Sequence, residues 1–346
     1  MKERDMEQWL EHLMVQLHWA PLFLLIAVML YLLGKGADVL IDEAVVLSSR
    51  WGVPKVLIGA TIVSLGTTTP ETAVSVLAAF QGAADLALGN AVGSIICDTG
   101  LILGLAALIS PLPLERAIVN RQGWIQLGAG VLLVVACLPF GALPTLFSDG
   151  GRLPQWVGCI FLVLLVIYLW LSVVWARSGV LAVADLETGE GANTLTTLVK
   201  LIGGIVVVVV ASTILIPAVR EVALRLHIPP GVIAATLVAF GTSLPELVTA
   251  VTAARRHHGE LAIGNVIGAD ILNVLFVAGA AAAVTPGGLL ASPFFFSFLF
   301  PAMLIILLVF RVGIFMSGPS LKWPFGIVLI AIYVAITLLS YTQQGG

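Results

Sequence analysis

Two polar runs interrupt an otherwise apolar chain: GTTTPE at residues 66 to 71 and GTSLPE at 241 to 246. Pro70 and Pro245 lack a backbone donor and clash with the carbonyl four residues earlier, so each is expected to break its helix and free carbonyls just upstream of the acid. Oxygen is then offered by the backbone, by Thr67, Thr68, Thr242 and Ser243, and by the carboxylates of Glu71 and Glu246. A hard cation such as Ca2+ takes about six to eight oxygens, whereas a softer transition metal recruits imidazole or thiolate. The His residues, at 12, 18, 227, 257 and 258, fall in the tail or in loops. Cys97, Cys137 and Cys159 are isolated, with no metal or redox spacing, and read as small core residues. The pattern therefore points to binding of a hard inorganic cation.

The two runs belong to one unit used twice. Each is followed by a glycine-rich helix start, LALGNAVGS at 86 to 94 and LAIGNVIGA at 261 to 269, and Gly66/Gly241, Glu71/Glu246, Asn90/Asn265 and Gly93/Gly268 are all offset by 175. Residues 54 to 98 and 229 to 273 share 18 identities in 45 positions, too many for two unrelated segments. The glycines allow close helix packing, and Asn90 and Asn265 read as hydrogen-bonding residues between helices. One turn beyond Ser94 comes Asp98, and one turn beyond Ala269 comes Asn273, so each pair shares a helix face. Asp270 adds a carboxylate where the first copy has Ile95, and reads equally as a lining residue or a local cap.

Hydrophobic residues make up 60% of the chain, charged residues 10%, and mean hydropathy is +1.11. A soluble domain carries about 25% charged residues, so the chain is an all-α integral membrane protein whose first partner is the lipid bilayer. A net charge of −3 with scattered basic residues gives no reason to expect nucleic acid, and nothing points to an organic cofactor or an obligate protein partner. At roughly 20 residues per crossing, ten spans are expected near 21–48, 54–80, 84–110, 122–142, 155–177, 198–222, 229–254, 259–285, 292–315 and 322–342.

Residues 1–20 carry apolar side chains at helical spacing and lack the features of a signal peptide, so they read as an amphipathic surface segment. Loops after the odd-numbered spans hold ten Lys and Arg: Arg50, Lys55, Arg116, Arg121, Arg177, Lys200, Arg255, Arg256, Arg311 and Lys322. The other side holds Arg152, Arg220 and Arg225, or five with Lys2 and Arg4. Both termini are therefore expected outside. With five spans each, residues 21–178 and 198–346 enter the membrane from opposite faces, joined by a cytoplasmic linker at 179–197. Inverted repeats of this kind recur in secondary transporters and share a site near the midplane.

The paired GT-x-x-PE and GN-x-x-G signatures resemble those of the calcium/cation antiporter superfamily, specifically its prokaryotic sodium/calcium exchanger-like branch. The likeness is strong over 54–111 and 229–286. It implies exchange of Ca2+ for Na+ in a bacterial or archaeal cytoplasmic membrane, these ions being cargo and not resident cofactors. It implies Glu71 and Glu246 as the central Ca2+ ligands, helped by Thr67, Thr242 and the carbonyls of Ser64 and Ala239. Na+ subsites would involve Thr68, Ser243 and Ser94, with Asp98 and Asn273 completing the middle. Two departures stand out: relatives commonly carry Asn then Asp at that last pair, and Ala269 replaces a usual Ser.

The mechanism that follows is alternating access, in which the empty carboxylate cage is too costly to move across the bilayer. Glu71, Glu246 and Asp98 sum to −3 when ionised, so one Ca2+ leaves −1, an excess that a proton on Asp98 would neutralise. The competing readings are a cation channel, a proton-coupled divalent-cation exchanger without Na+ dependence, an intramembrane aspartyl protease and a purely structural bundle. Flux that saturates and needs a counter-ion separates the exchanger from the channel.

Overall fold

The structure, a computed structural model, describes residues 12–141, 143–179, 194–226 and 241–344, with side chains described outside 176–179 and 341–344. Its longer helices in chain order are α1 (Trp19–Trp51), α2 (Lys55–Thr67), α3 (Thr69–Phe80), α4 (Ala84–Ile109), α5 (Arg116–Cys137), α6 (Gln155–Gly179), α7 (Thr194–Arg225), α8 (Leu244–Arg255), α9 (Gly259–Val284), α10 (Phe295–Met316) and α11 (Trp323–Gln344). Among the described residues, eight are long and apolar enough to cross a membrane: α1, α4, α5, α6, α7, α9, α10 and α11. A chain in hydrocarbon must satisfy every backbone group within itself, which is why these apolar runs are helical.

The expected span at 54–80 is not one helix but α2 and α3 end to end, and the described half of the span at 229–254 is α8. The expected span at 122–142 is displaced: α5 begins at Arg116 and ends at Cys137. Arg121 therefore lies inside the helix, its guanidinium 4.0 Å from the Trp175 ring, and Arg116 donates to the Ser317 carbonyl at 3.3 Å. Arg311, also expected in a loop, is buried within α10 over the rings of Trp124 and Phe315. Stacking on aromatic faces lets a guanidinium sit inside a helix bundle, so these arginines do not mark loops.

Acidic residues in the second half of α1 are paired from outside it. Arg256 bonds Asp42 at 2.5 Å and the Asp38 carbonyl at 2.9 Å, and Lys200 meets Glu43 at 3.3 Å. Gly52 ends α1 in a left-handed conformation (φ 61°) with its N–H on the Ser48 and Ser49 carbonyls, a geometry that favours glycine. Of the amphipathic segment expected at 1–20, residues 1–11 lie outside the described residues, as do 180–193 of the linker. The rest is tied to α7, since Arg225 donates to the carbonyls of Met14 and Val15.

Two small antiparallel pairs close the ends of the bundle. Strand β1 (Leu112–Pro113) pairs with β4 (Ser320–Leu321), and β2 (Gly151–Leu153) pairs with β3 (Leu289–Ala291). Strands β1 and β3 each follow the glycine-rich helix of their half, and β2 and β4 follow the next helix. Exchanging the halves thus turns one pair into the other.

At the centre α9 lies against α2, with all of Leu261–Leu272 buried. A Cβ added at Gly268 would sit 2.5 Å from the Ala60 carbonyl oxygen, and one at Gly264 would run into the Val56 carbonyl. Gly268→Ala is expected to force the two helices apart at about 1–3 kcal/mol. Heating in detergent should show a thermal midpoint several degrees lower, whereas Gly34→Ala, at an exposed site on α1 with nothing within 4 Å, should leave it unchanged.

The turn between α8 and α9 carries a pH-dependent contact. Burial first, then the Lys55 ammonium 3.4 Å from its Nδ1, holds His258 below the ordinary imidazole range. The folded chain thus binds this proton less tightly than the unfolded chain, whose imidazole titrates near about 6.5. The contribution to stability is present above that pH and is lost as pH falls through the lower folded value. Thermal midpoints measured between about pH 7.5 and 5 should fall on acidification, and His258→Gln should flatten part of that slope.

Candidate functional site

The polar runs of the sequence become the junctions of the broken helices. Thr68 lies between α2 and α3 with φ −80° and ψ −1°, and Ser243 precedes α8 at φ −86° and ψ 10°. The break falls at Thr68 and not at Pro70, which occupies the first turn of α3, where its missing donor costs nothing. The carbonyls expected to be free are partly engaged: Thr69 Oγ1 donates to the Leu65 carbonyl at 2.8 Å, and the Thr68 N–H donates to the Ser64 carbonyl at 2.8 Å. The Thr67 hydroxyl also lies 3.3 Å from the Ser64 carbonyl, and Ala239 lies outside the described residues.

The junctions and the faces of α4 and α9 meet through contacts that cross between the halves. Thr67 Oγ1 donates to Asn265 Oδ1 at 3.4 Å, and its counterpart Thr242 donates to Asn90 Oδ1 at 3.2 Å. Asn273 Nδ2 donates to Asp98 Oδ2 at 3.4 Å, joining the two residues that occupy the same place in each half. Thr68 Oγ1 donates to Glu246 Oε1 at 3.2 Å. Asn90 also donates to Ser75 Oγ at 3.0 Å and to the Glu71 carbonyl at 3.4 Å, so the two asparagines hold the junctions as well as bridging helices.

Glu71, Glu246, Asp98 and Asn273 are each 1% exposed. Both carboxylate oxygens of Glu71, Glu246 Oε2, Asp98 Oδ1, Asn273 Oδ1, and the hydroxyls of Ser94 and Ser243 have no hydrogen-bond partner. A buried polar group without a partner costs about 1–3 kcal/mol, so seven together need an occupant. The carboxylates of Glu71, Glu246 and Asp98 are electrostatic neighbours, and among the described residues the groups acting on them include no Lys, Arg or His. Among the described residues no three His, Cys, Asp or Glu side chains converge closely enough to hold a metal alone. A cation here must therefore draw on hydroxyl, amide and carbonyl oxygen as well, the donor set of a hard ion.

The family model of the sodium/calcium exchanger protein matches residues 21–174 and 196–342, nearly the whole chain. The chain belongs to that family. The exchanger MaX1 of Methanosarcina acetivorans is 30% identical over 92% of this chain and 98% of its own, and the inner membrane protein YrbG of Escherichia coli is 31% identical over 86% and 94%. Among solved structures, that of the sodium-calcium exchanger NCX_Mj soaked with 2.5 mM Na+ and 10 mM Sr2+ superposes with a TM-score of 0.74 at 28% identity, over 91% of this chain and 97% of that one. This member of the sodium/calcium exchanger family is thus a multi-pass membrane transporter and not an enzyme.

Four polar residues of this exchanger, Thr99, Gln122, Gln126 and Tyr168, were not singled out by the sequence. Thr99 and Gln126 both donate to Asp270 Oδ2 at 2.5 Å, so Asp270 lies mid-helix between α4 and α5 and is no local cap. The Tyr168 hydroxyl lies 3.2 Å from both the Ala60 carbonyl and Gln122 Oε1. The one available signal was Gln122 and Gln126 at helical spacing on an otherwise apolar face.

Proposed function

We propose that this chain exchanges Ca2+ for Na+ across a bacterial or archaeal cytoplasmic membrane, both ion types using the cage around Glu71 and Glu246. What carries this reading is the set of seven partnerless buried oxygens contributed by both halves of the chain. Ca2+ takes Glu71 and Glu246 with Thr67, Thr242 and the carbonyls of Ser64 and Ala239. Na+ takes Thr68, Ser243 and Ser94, and Asp98 with Asn273 serves the middle.

The architecture we assign is ten spans in two inverted halves, 21–178 and 198–346, with α2–α3 and the expected span that includes α8 as broken spans. The crossed Thr–Asn contacts and the exchange of β1–β4 with β2–β3 under interchange of the halves support it. Removing Arg121 and Arg311 from the loop tally leaves eight basic residues on one side against five on the other, which still puts the termini outside. Carboxylates without a counter-ion are too costly to move across hydrocarbon, so the halves change access when the cage is loaded and not when it is empty.

The test is radiolabelled Ca2+ uptake into proteoliposomes holding the purified chain, with an outward Na+ gradient. Uptake should saturate with Ca2+, collapse when the Na+ gradient is removed, and export Na+ in return. Ca2+ flux that neither saturates nor moves Na+ would make the chain a channel.

A further inference from the structure

Among the described residues four carboxylates are buried, and the cage accounts for three. The fourth, Asp270, is 2% exposed in the middle of α9, at a position where the first half has Ile95. Its Oδ2 accepts from Thr99 Oγ1 on α4 and from Gln126 Nε2 on α5, and Gln126 also donates to Thr99 at 3.1 Å. Its Oδ1 has no partner. We infer that Asp270 Oδ1 is a proton-binding site that loads and unloads in step with Ca2+ in the cage, so that the chain moves H+ as well as Na+ against Ca2+. This rests on the cage reading above.

The number of free oxygens decides between a proton and a metal ion. A hard metal ion needs about six oxygens, and this pocket has one to give, because Oδ2 already accepts two donors and the Thr99 hydroxyl is engaged on both sides. A proton needs one. The titratable group that neighbours Asp270 is Asp98 on α4, which in turn neighbours Glu246 on α8 and Glu71 on α3. From α5 it meets amides, with Tyr168 of α6 beyond Gln122. Among the described residues none of the ion pairs reaches it.

Ca2+ entering beside Asp98 favours the ionised form of Asp270 through space. The O–H bond at Oδ1 breaks, the proton passes to water on the side from which Ca2+ came, and a carboxylate remains. Once Ca2+ has left on the other side, a proton from water there re-forms the acid. A file of polar groups leads away from the pocket. Gln122 lies one turn from Gln126, the Tyr168 hydroxyl is 3.2 Å from Gln122 Oε1, and Ser172 stands one turn further along α6. Gln122 Nε2 and Ser172 Oγ have no protein partner, and Ser172 lines a cavity of about 550 Å3 that extends to Trp51.

The experiment is Ca2+ uptake into proteoliposomes driven either by a pH gradient without Na+ or by a Na+ gradient at equal pH. The wild-type chain should work in both modes, and Asp270→Asn, which keeps an acceptor for Thr99 and Gln126, should lose at least about tenfold of pH-driven uptake while Na+-driven uptake stays within about threefold. If wild type works on Na+ alone, or if Asp270→Asn is equally driven by pH, the proton site is wrong and the cage stands. If wild type works in neither mode, the cage reading itself fails, and this inference with it. Should Asp270→Asn be inactive in both modes, Gln126→Leu decides. It removes one donor from Oδ2 and should displace the pH midpoint of pH-driven uptake by half a unit or more, and an unmoved midpoint overturns the assignment.

Discussion

Glu71→Gln is expected to abolish Na+-driven Ca2+ uptake in a chain that still folds, and Glu246→Gln to do the same. Neither oxygen of Glu71 accepts a hydrogen bond from the protein, so an amide of the same shape removes no contact that holds the fold. Glu246 accepts at Oε1 from Thr68, a bond that the amide oxygen can keep. What each change removes is one negative charge facing a divalent ion. Even at an effective dielectric of about 20, two unit charges 4 Å apart interact by about 4 kcal/mol. Part of that is offset by hydration of the free ion, yet a net 2–3 kcal/mol is about 30- to 150-fold in affinity. Loss of uptake by about 30-fold or more is therefore expected. The stabilisation that Ca2+ gives by binding the folded state should vanish with it, while the thermal midpoint without Ca2+ should not fall. Either variant exchanging at the normal rate would remove that residue from the cage.

The repeat made the candidate cage legible. A 175-residue offset identifies which residues are equivalent, and two acids placed in hydrocarbon at equivalent positions are too costly to be incidental. Equivalence is not contact, however. Nothing in the sequence says that Thr67 meets Asn265 and Thr242 meets Asn90, because that depends on how the halves are laid across each other. Gln126 was hidden for a different reason: the residue 175 positions on is Pro301, so no second copy drew attention to it.

The misplaced start of the fourth span has a physical cause too. Arg121 and Arg311 were weighed as charges that must seek water, whereas each lies over aromatic rings inside the bundle. Likewise the prolines located the broken helices to within two residues, but the backbone turns at Thr68, since a proline is at ease in a first helical turn and disruptive only further in.

Exchanging Asp98 and Asn273 should preserve transport, although changing either alone should not. Asp98 and Asn273 occupy the same place in the two halves and bond each other, Asn273 Nδ2 to Asp98 Oδ2 at 3.4 Å. If the halves are related by a two-fold axis, this pair lies across that axis, and swapping its members leaves the charge and the hydrogen bond where they were. The double variant Asp98→Asn with Asn273→Asp should then keep Na+-driven Ca2+ uptake within about threefold of wild type. Asp98→Asn alone lowers the cage charge from −3 to −2, and Asn273→Asp alone raises it to −4 with two carboxylates at hydrogen-bonding distance. A unit of misplaced charge in a buried site is worth a few kcal/mol, so each single variant should lose at least about tenfold. The readout is the coupling between the two changes, measured as a double-mutant cycle on initial uptake rates. Single losses that simply multiply in the double variant would mean that Asp98 serves the ions from one half only, for instance through its neighbour Asp270, and that the two-fold relation does not extend to the centre of the cage.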